Sequence, residues 1–101
     1  MRRGEVWRYQ PVVSRQGQSA LRLIVSARAV NDDDSLPVVL ALHVLESDPG
    51  GLLAVGIGEY GWASALTIEP VIRSRLAERL ATVDAEVMEH VSAALRAVQD
   101  L

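Results

Sequence analysis

Two histidines, ten arginines and thirteen acids are the charged or titratable side chains from which this 101-residue sequence can build chemistry, and cysteine is absent. The lack of cysteine excludes a disulfide framework, a cysteine zinc site and a thiol nucleophile. His43 and His90 are not spaced to bring two ligands onto one helix face, so no metal and no cofactor are expected. His90 falls mid-helix, where a surface or partly buried ring is the simplest reading. His43 sits in a strand among Leu42, Val44 and Leu45. There it either packs as a satisfied imidazole or lines a groove as an acid or base, a role histidine fills near neutral pH. Glu5, Glu46 and Asp48 read as surface acids unless the fold pairs them. The serines have no GxSxG elbow. Gly56, Gly58 and Gly61 match neither phosphate-loop pattern.

The charge is unevenly placed. Residues 1 to 31 carry six arginines against Glu5 alone, a net +5, whereas the remainder carries 12 acids against four arginines, a net −8. A basic opening third can hold phosphates, because arginine offers a planar fork and neutralised phosphates release counterions; solvated strand-edge charges are the plainer reading. Trp7, Tyr9, Tyr60 and Trp62 complete the aromatic set and fall in two pairs at strand spacing. Beside arginines such rings can stack unpaired RNA bases, or they can plug a small barrel.

The elements that must position these groups follow from periodicity. One domain over residues 1–101 is expected, long enough for a core without staples. With no apolar run of membrane length and no signal peptide, the chain reads as soluble and cytoplasmic. Glu5 to Gln10 alternates as a strand that Pro11 ends. Pro11 to Ala20 is a polar loop long enough to bind something. Leu21 to Ser26 is a second strand, with Arg22 its one polar intruder, and Asn31 to Ser35 is an acidic surface turn. Val38 to Leu45 is the most strand-like run and should pair with the second strand. Asp48-Pro49-Gly50-Gly51 is a turn. Leu52 to Ile57 and Trp62 to Ile68 give further strands, and Val71 to Leu80 reads as a helical turn with a short closing strand. Asp84 caps a final amphipathic helix whose apolar face carries Val87, Val91, Ala94 and Val98. The sum is a mainly β domain with a C-terminal α-helix, and strands this short and frequent suggest a barrel.

Arg3-Gly4-Glu5-Val6-Trp7, followed by Leu23-Ile24-Val25-Ser26 and Asn31, resembles the opening of the MazF/PemK toxins. Ile68 to Leu76 with Arg75-Leu76, then Thr82-Val83-Asp84 leading into Ala93-Ala94-Leu95, is similar to that family's closing strand and helix. The resemblance implies a small SH3-like barrel of the CcdB/PemK type. It further implies a homodimer that cleaves single-stranded RNA without a metal and is silenced by a cognate antitoxin. The family's basic residue at the start of the second strand aligns with Ala20, and its Ser or Thr at the end of the third with Leu45 or nearby. Neighbours therefore become the candidates: Arg22, His43 and Glu46 for catalysis, and Arg3, Arg15, Gln18, Ser19 and Ser47 for RNA binding. Two other readings stay open, a toxin that binds a protein target as the CcdB gyrase poison does, and a catalytically silent member that binds antitoxin or RNA as a decoy.

Overall fold

A computed structural model describes residues 1–10 and 20–100. Alternation of side chains produces β1 (Glu5–Tyr9), which pairs antiparallel with β2 (Leu21–Ile24). The longest apolar run forms β3 (Val38–Leu45), antiparallel to β2 as its pattern requires. Short strands β4 (Ala54–Gly56) and β5 (Trp62–Ser64) follow, then β6 (Glu69–Ile72) and β7 (Leu76–Thr82). Helix α1 (Arg28–Asn31) is a single turn and α2 (Ala85–Gln99) closes the described chain. The antiparallel order runs β4-β5-β3-β2-β1-β7, with β6 added to β3. The architecture is thus a dominant antiparallel sheet with a C-terminal helix.

Several boundaries differ from those that the residues suggest. β2 stops at Ile24 because the amides of both Val25 and Ser26 turn onto the one Leu40 carbonyl, at 3.0 and 3.3 Å, which lifts the chain off the ladder. Asn31 is not part of a surface turn. It is buried in α1, where Ser26 Oγ donates to its Oδ1 at 2.5 Å and its Nδ2 donates to the Ser26 carbonyl at 2.8 Å. The acidic turn is confined to Asp33–Ser35, where Asp33 Oδ1 accepts from the Ser35 amide. Arg73 then ties this region down by donating to the carbonyls of Val30, Asn31, Asp33 and Leu36. The two strands read after Gly51 shrink to three residues each. Ala65–Thr67 forms a 3-10 turn, and so does Gly58–Tyr60, which removes Tyr60 from strand spacing with Trp62. Pro70 stands inside β6, tolerated because among the described residues that strand pairs on one side, with β3. Asp84 accepts from the Val87 amide at 2.9 Å, the cap expected of it.

Two apolar layers lie on opposite faces of the sheet. Val6, Leu23 and Leu42 stand in register across β1, β2 and β3 and pack with Val44, Met88 and Val91, the last two from α2. The reverse face carries Tyr9, Ile24, Val39, Ala41, Val71 and Leu76. Gly61 has to be glycine: its φ is +121°, and a Cβ there would collide with the Leu45 carbonyl oxygen. Among the described residues no helix is long and apolar enough to cross a membrane.

Candidate active site

Trp7, Arg22 and His43 are register partners across β1, β2 and β3, so their side chains share one face of the sheet. It is the face of the second apolar layer, because Ile24 and Ala41 lie two residues along from Arg22 and His43. At His43 the third strand changes neighbours: residues up to Ala41 pair with β6, and Val44 and Leu45 pair with β5. In the gap between them the His43 amide donates to Thr67 Oγ1 at 2.9 Å, and that hydroxyl donates to the Ser64 carbonyl at 2.7 Å. Thr67 thereby replaces the missing ladder contact and fixes the backbone beneath the imidazole.

The residue that sequence reading missed is Glu69. Its Oε1 lies 2.7 Å from His43 Nε2 and 3.2 Å from Arg22 Nε. Arg22 is the larger surprise in burial: its side chain is 1% exposed, against 20% for His43 and 39% for Glu69. A buried guanidinium demands partners. Arg22 has the Glu69 carboxylate, the Leu21 carbonyl at 2.9 Å from Nη1, and the ring of Tyr9, whose centroid lies 5.0 Å from the guanidinium carbon. Its Nε and Nη1 are therefore turned onto protein groups, and it acts on Glu69 from below.

This arrangement has a direct chemical consequence. A carboxylate accepting at Nε2 requires the hydrogen on Nε2, which leaves Nδ1 of His43 as the acceptor. An imidazole whose one nitrogen is anchored by an acid and whose other carries a lone pair is the arrangement of a general base. Arg22, Glu69 and His43 form a chain in which each member orients the next.

The other candidates are scattered. Glu46 and Ser47 are exposed just past the end of β3. Arg3 donates to Ser92 Oγ on α2 at 2.8 Å and lines a surface cavity of about 560 Å³ with Arg2, Arg28 and Asn31, so the structure does not bring it to Arg22. Arg15, Gln18 and Ser19 lie outside the described residues, as does the loop from Pro11 onward, and Ala20 directly precedes β2. His90 is an exposed residue of α2.

A second network adjoins the site. Glu5, almost fully buried, accepts from the Arg2 amide at 2.9 Å, from Trp7 Nε1 at 3.1 Å and from Arg79 Nη1 at 3.3 Å. Burial acts to raise its pKa, but the bonds from Arg2, Trp7 and Arg79 together outweigh it and hold the carboxyl below its ordinary value. A lowered pKa stabilises the fold fully above the ordinary carboxylate range, and the benefit is lost as pH falls through the lowered value. Glu5→Gln is therefore expected to cost roughly 1–3 kcal/mol at neutral pH, with the gap to the parent closing in acid. Thermal melts at pH 7 and at about pH 3 check this; a gap that stays constant contradicts it.

An antiparallel sheet with a C-terminal helix thus carries, on one face, an imidazole anchored by an acid. The chain belongs to the PemK-like, MazF-like toxins of type II toxin-antitoxin systems, whose family model matches residues 2–99. No curated protein matches it. Among solved structures it is similar to an endoribonuclease from mycobacterial species, at 24% identity and a TM-score of 0.80, over 98% of this chain and 90% of that one. The endoribonuclease in complex with its cognate antitoxin, also mycobacterial, gives 24% and 0.84 over 98% and 94%. MazF from Deinococcus radiodurans gives 24% and 0.75 over the same shares. Likeness at these identities concerns the fold.

Proposed function

We propose that this chain is a metal-independent endoribonuclease that cuts single-stranded RNA in the cytoplasm and is held inactive by a cognate antitoxin. The observation that carries the reading is the 2.7 Å contact of His43 with Glu69, on a sheet face where Arg22 fixes the acid. In the reaction His43 Nδ1 takes the proton of a ribose 2′-hydroxyl. The 2′-oxygen bonds to the adjacent phosphorus, the bond from phosphorus to the 5′-oxygen breaks, and that oxygen leaves with a proton from solvent. The products are a 2′,3′-cyclic phosphate and a 5′-hydroxyl.

The partner proposals have their own support. The mycobacterial and Deinococcus relatives include toxins solved with their antitoxins. Val38, Leu40 and Ile72 are each more than a third exposed, and the register pairs Val38 with Ile72 and Leu40 with Pro70 on one side of the sheet. Such an apolar patch beyond the cover of α2 suits a second copy of the chain, hence a homodimer. An SH3-like barrel is the form in which this sheet would curl around the second apolar layer, and the all-antiparallel pairing supports that reading.

The test is direct. Purified protein incubated with single-stranded RNA and a chelator should yield fragments ending in cyclic phosphate, and light scattering should give twice the monomer mass. Intact RNA across varied sequences overturns the enzyme. What favours a binding-type toxin is that, by the family resemblance, Ala20 and Leu45 or a residue near it stand where the basic and hydroxyl groups align. A stoichiometric protein target captured without RNA cleavage would establish that reading instead.

A further inference from the structure

We propose that Trp7 is a stacking platform for a nucleobase of the RNA strand beside the proton-transfer site, an inference that rests on the ribonuclease reading above. The position comes from the register. Trp7, Arg22 and His43 form one row across three neighbouring strands, and strands lie about 4.8 Å apart, so the indole stands roughly 10 Å from the imidazole on the same face. A base flanking the cleaved phosphate falls within reach of it.

The indole is also held as a platform must be. Its Nε1–H donates to Glu5 Oε1, and that carboxylate is itself fixed by the Arg2 amide and Arg79. Burying an acid is costly, and here the buried acid orients a ring that packs against the second apolar layer and stays partly exposed. The bond pins the pyrrole edge and so sets the plane of the ring, which lowers the entropy lost when a flat ligand settles on it.

The other aromatics are engaged differently. Tyr9 is buried beneath Arg22, and Tyr60 packs against the first apolar layer, its hydroxyl donating to the Leu80 carbonyl at 3.4 Å. Trp62 on β5 pairs with Leu45 and Gly56, and among the described residues no carboxylate holds its nitrogen. An aromatic face accepts any base, so this platform supplies affinity and placement rather than a sequence code.

The experiment uses a 2′-O-methyl single-stranded RNA oligonucleotide of mixed sequence, which binds without being cut, and the Trp62→Phe protein, in which Trp7 is the sole indole. Titration should quench the indole emission. Measured by anisotropy of the labelled oligonucleotide, Trp7→Leu should raise Kd about five- to a hundredfold, and Trp7→Phe should restore most of the affinity. Binding without quenching in the Trp62→Phe protein, or a Kd for Trp7→Leu within twofold of the parent, overturns the platform and leaves the ribonuclease reading standing. A parent protein that binds no oligonucleotide overturns both. The quenching measurement needs no change at Trp7, so it decides the matter even where Trp7→Leu fails to fold.

Discussion

His43→Gln should reduce RNA cleavage by about a hundredfold to ten-thousandfold, the usual worth of a positioned general base, with the melting temperature close to that of the parent. The two outcomes separate because of how His43 is held. Its backbone is fixed by Thr67 Oγ1 and by pairing to Arg22, neither of which involves the imidazole. A glutamine amide can still donate to Glu69, so the acid keeps a partner. What disappears is the lone pair at the position of Nδ1, and with it the acceptor for the 2′-hydroxyl proton. Initial rates on a labelled single-stranded oligonucleotide in chelator, alongside thermal melts, make the comparison. Cleavage within a few-fold of the parent would remove His43 from the reaction.

The difference between what the residues announce and what they conceal is well illustrated around this site. The run Val38–Leu45 forms a strand with the very limits its composition suggests, because seven apolar residues broken only by His43 leave little alternative. Asp84 likewise caps α2 through a contact three residues away, local enough to be read directly. Glu69 is another matter. It lies 26 residues from His43 and 47 from Arg22, and such distances leave no periodic trace. It also precedes Pro70, which argues against a strand until pairing on one side only is known. Strands of three residues, β4 and β5, are too short for alternation to register. Asn31 misleads for a related reason: as a residue type it signals a turn, whereas its amide is occupied with Ser26 inside the fold. One signal was present and readable, namely Arg22 as a lone polar residue in an apolar strand. An arginine buried there requires an acid, and the acid is the missing member of the site.

Arg22 carries the largest expected effect on the fold. Arg22→Ala empties a fully buried site and removes the stack on Tyr9, for which about 2–4 kcal/mol of stability is expected. That is less than the loss of a fully buried ion pair, since Glu69 is 39% exposed and can turn to solvent when its partner is gone. Arg22→Met refills the volume with an unbranched apolar chain and should recover all but about 1 kcal/mol. Activity should part company with stability at this point. Glu69 then loses the guanidinium that fixes its Oε1 beneath His43 Nε2, and a small misplacement of a reacting group costs on the order of a hundredfold. Arg22→Met is thus expected to be a folded protein that cleaves RNA some ten- to a hundredfold more slowly. In the His43→Gln background the same substitution should change the residual rate little, because both act through one imidazole. Multiplicative losses would mean instead that Arg22 reaches the phosphate on its own account, turning its fork from the acid to the substrate.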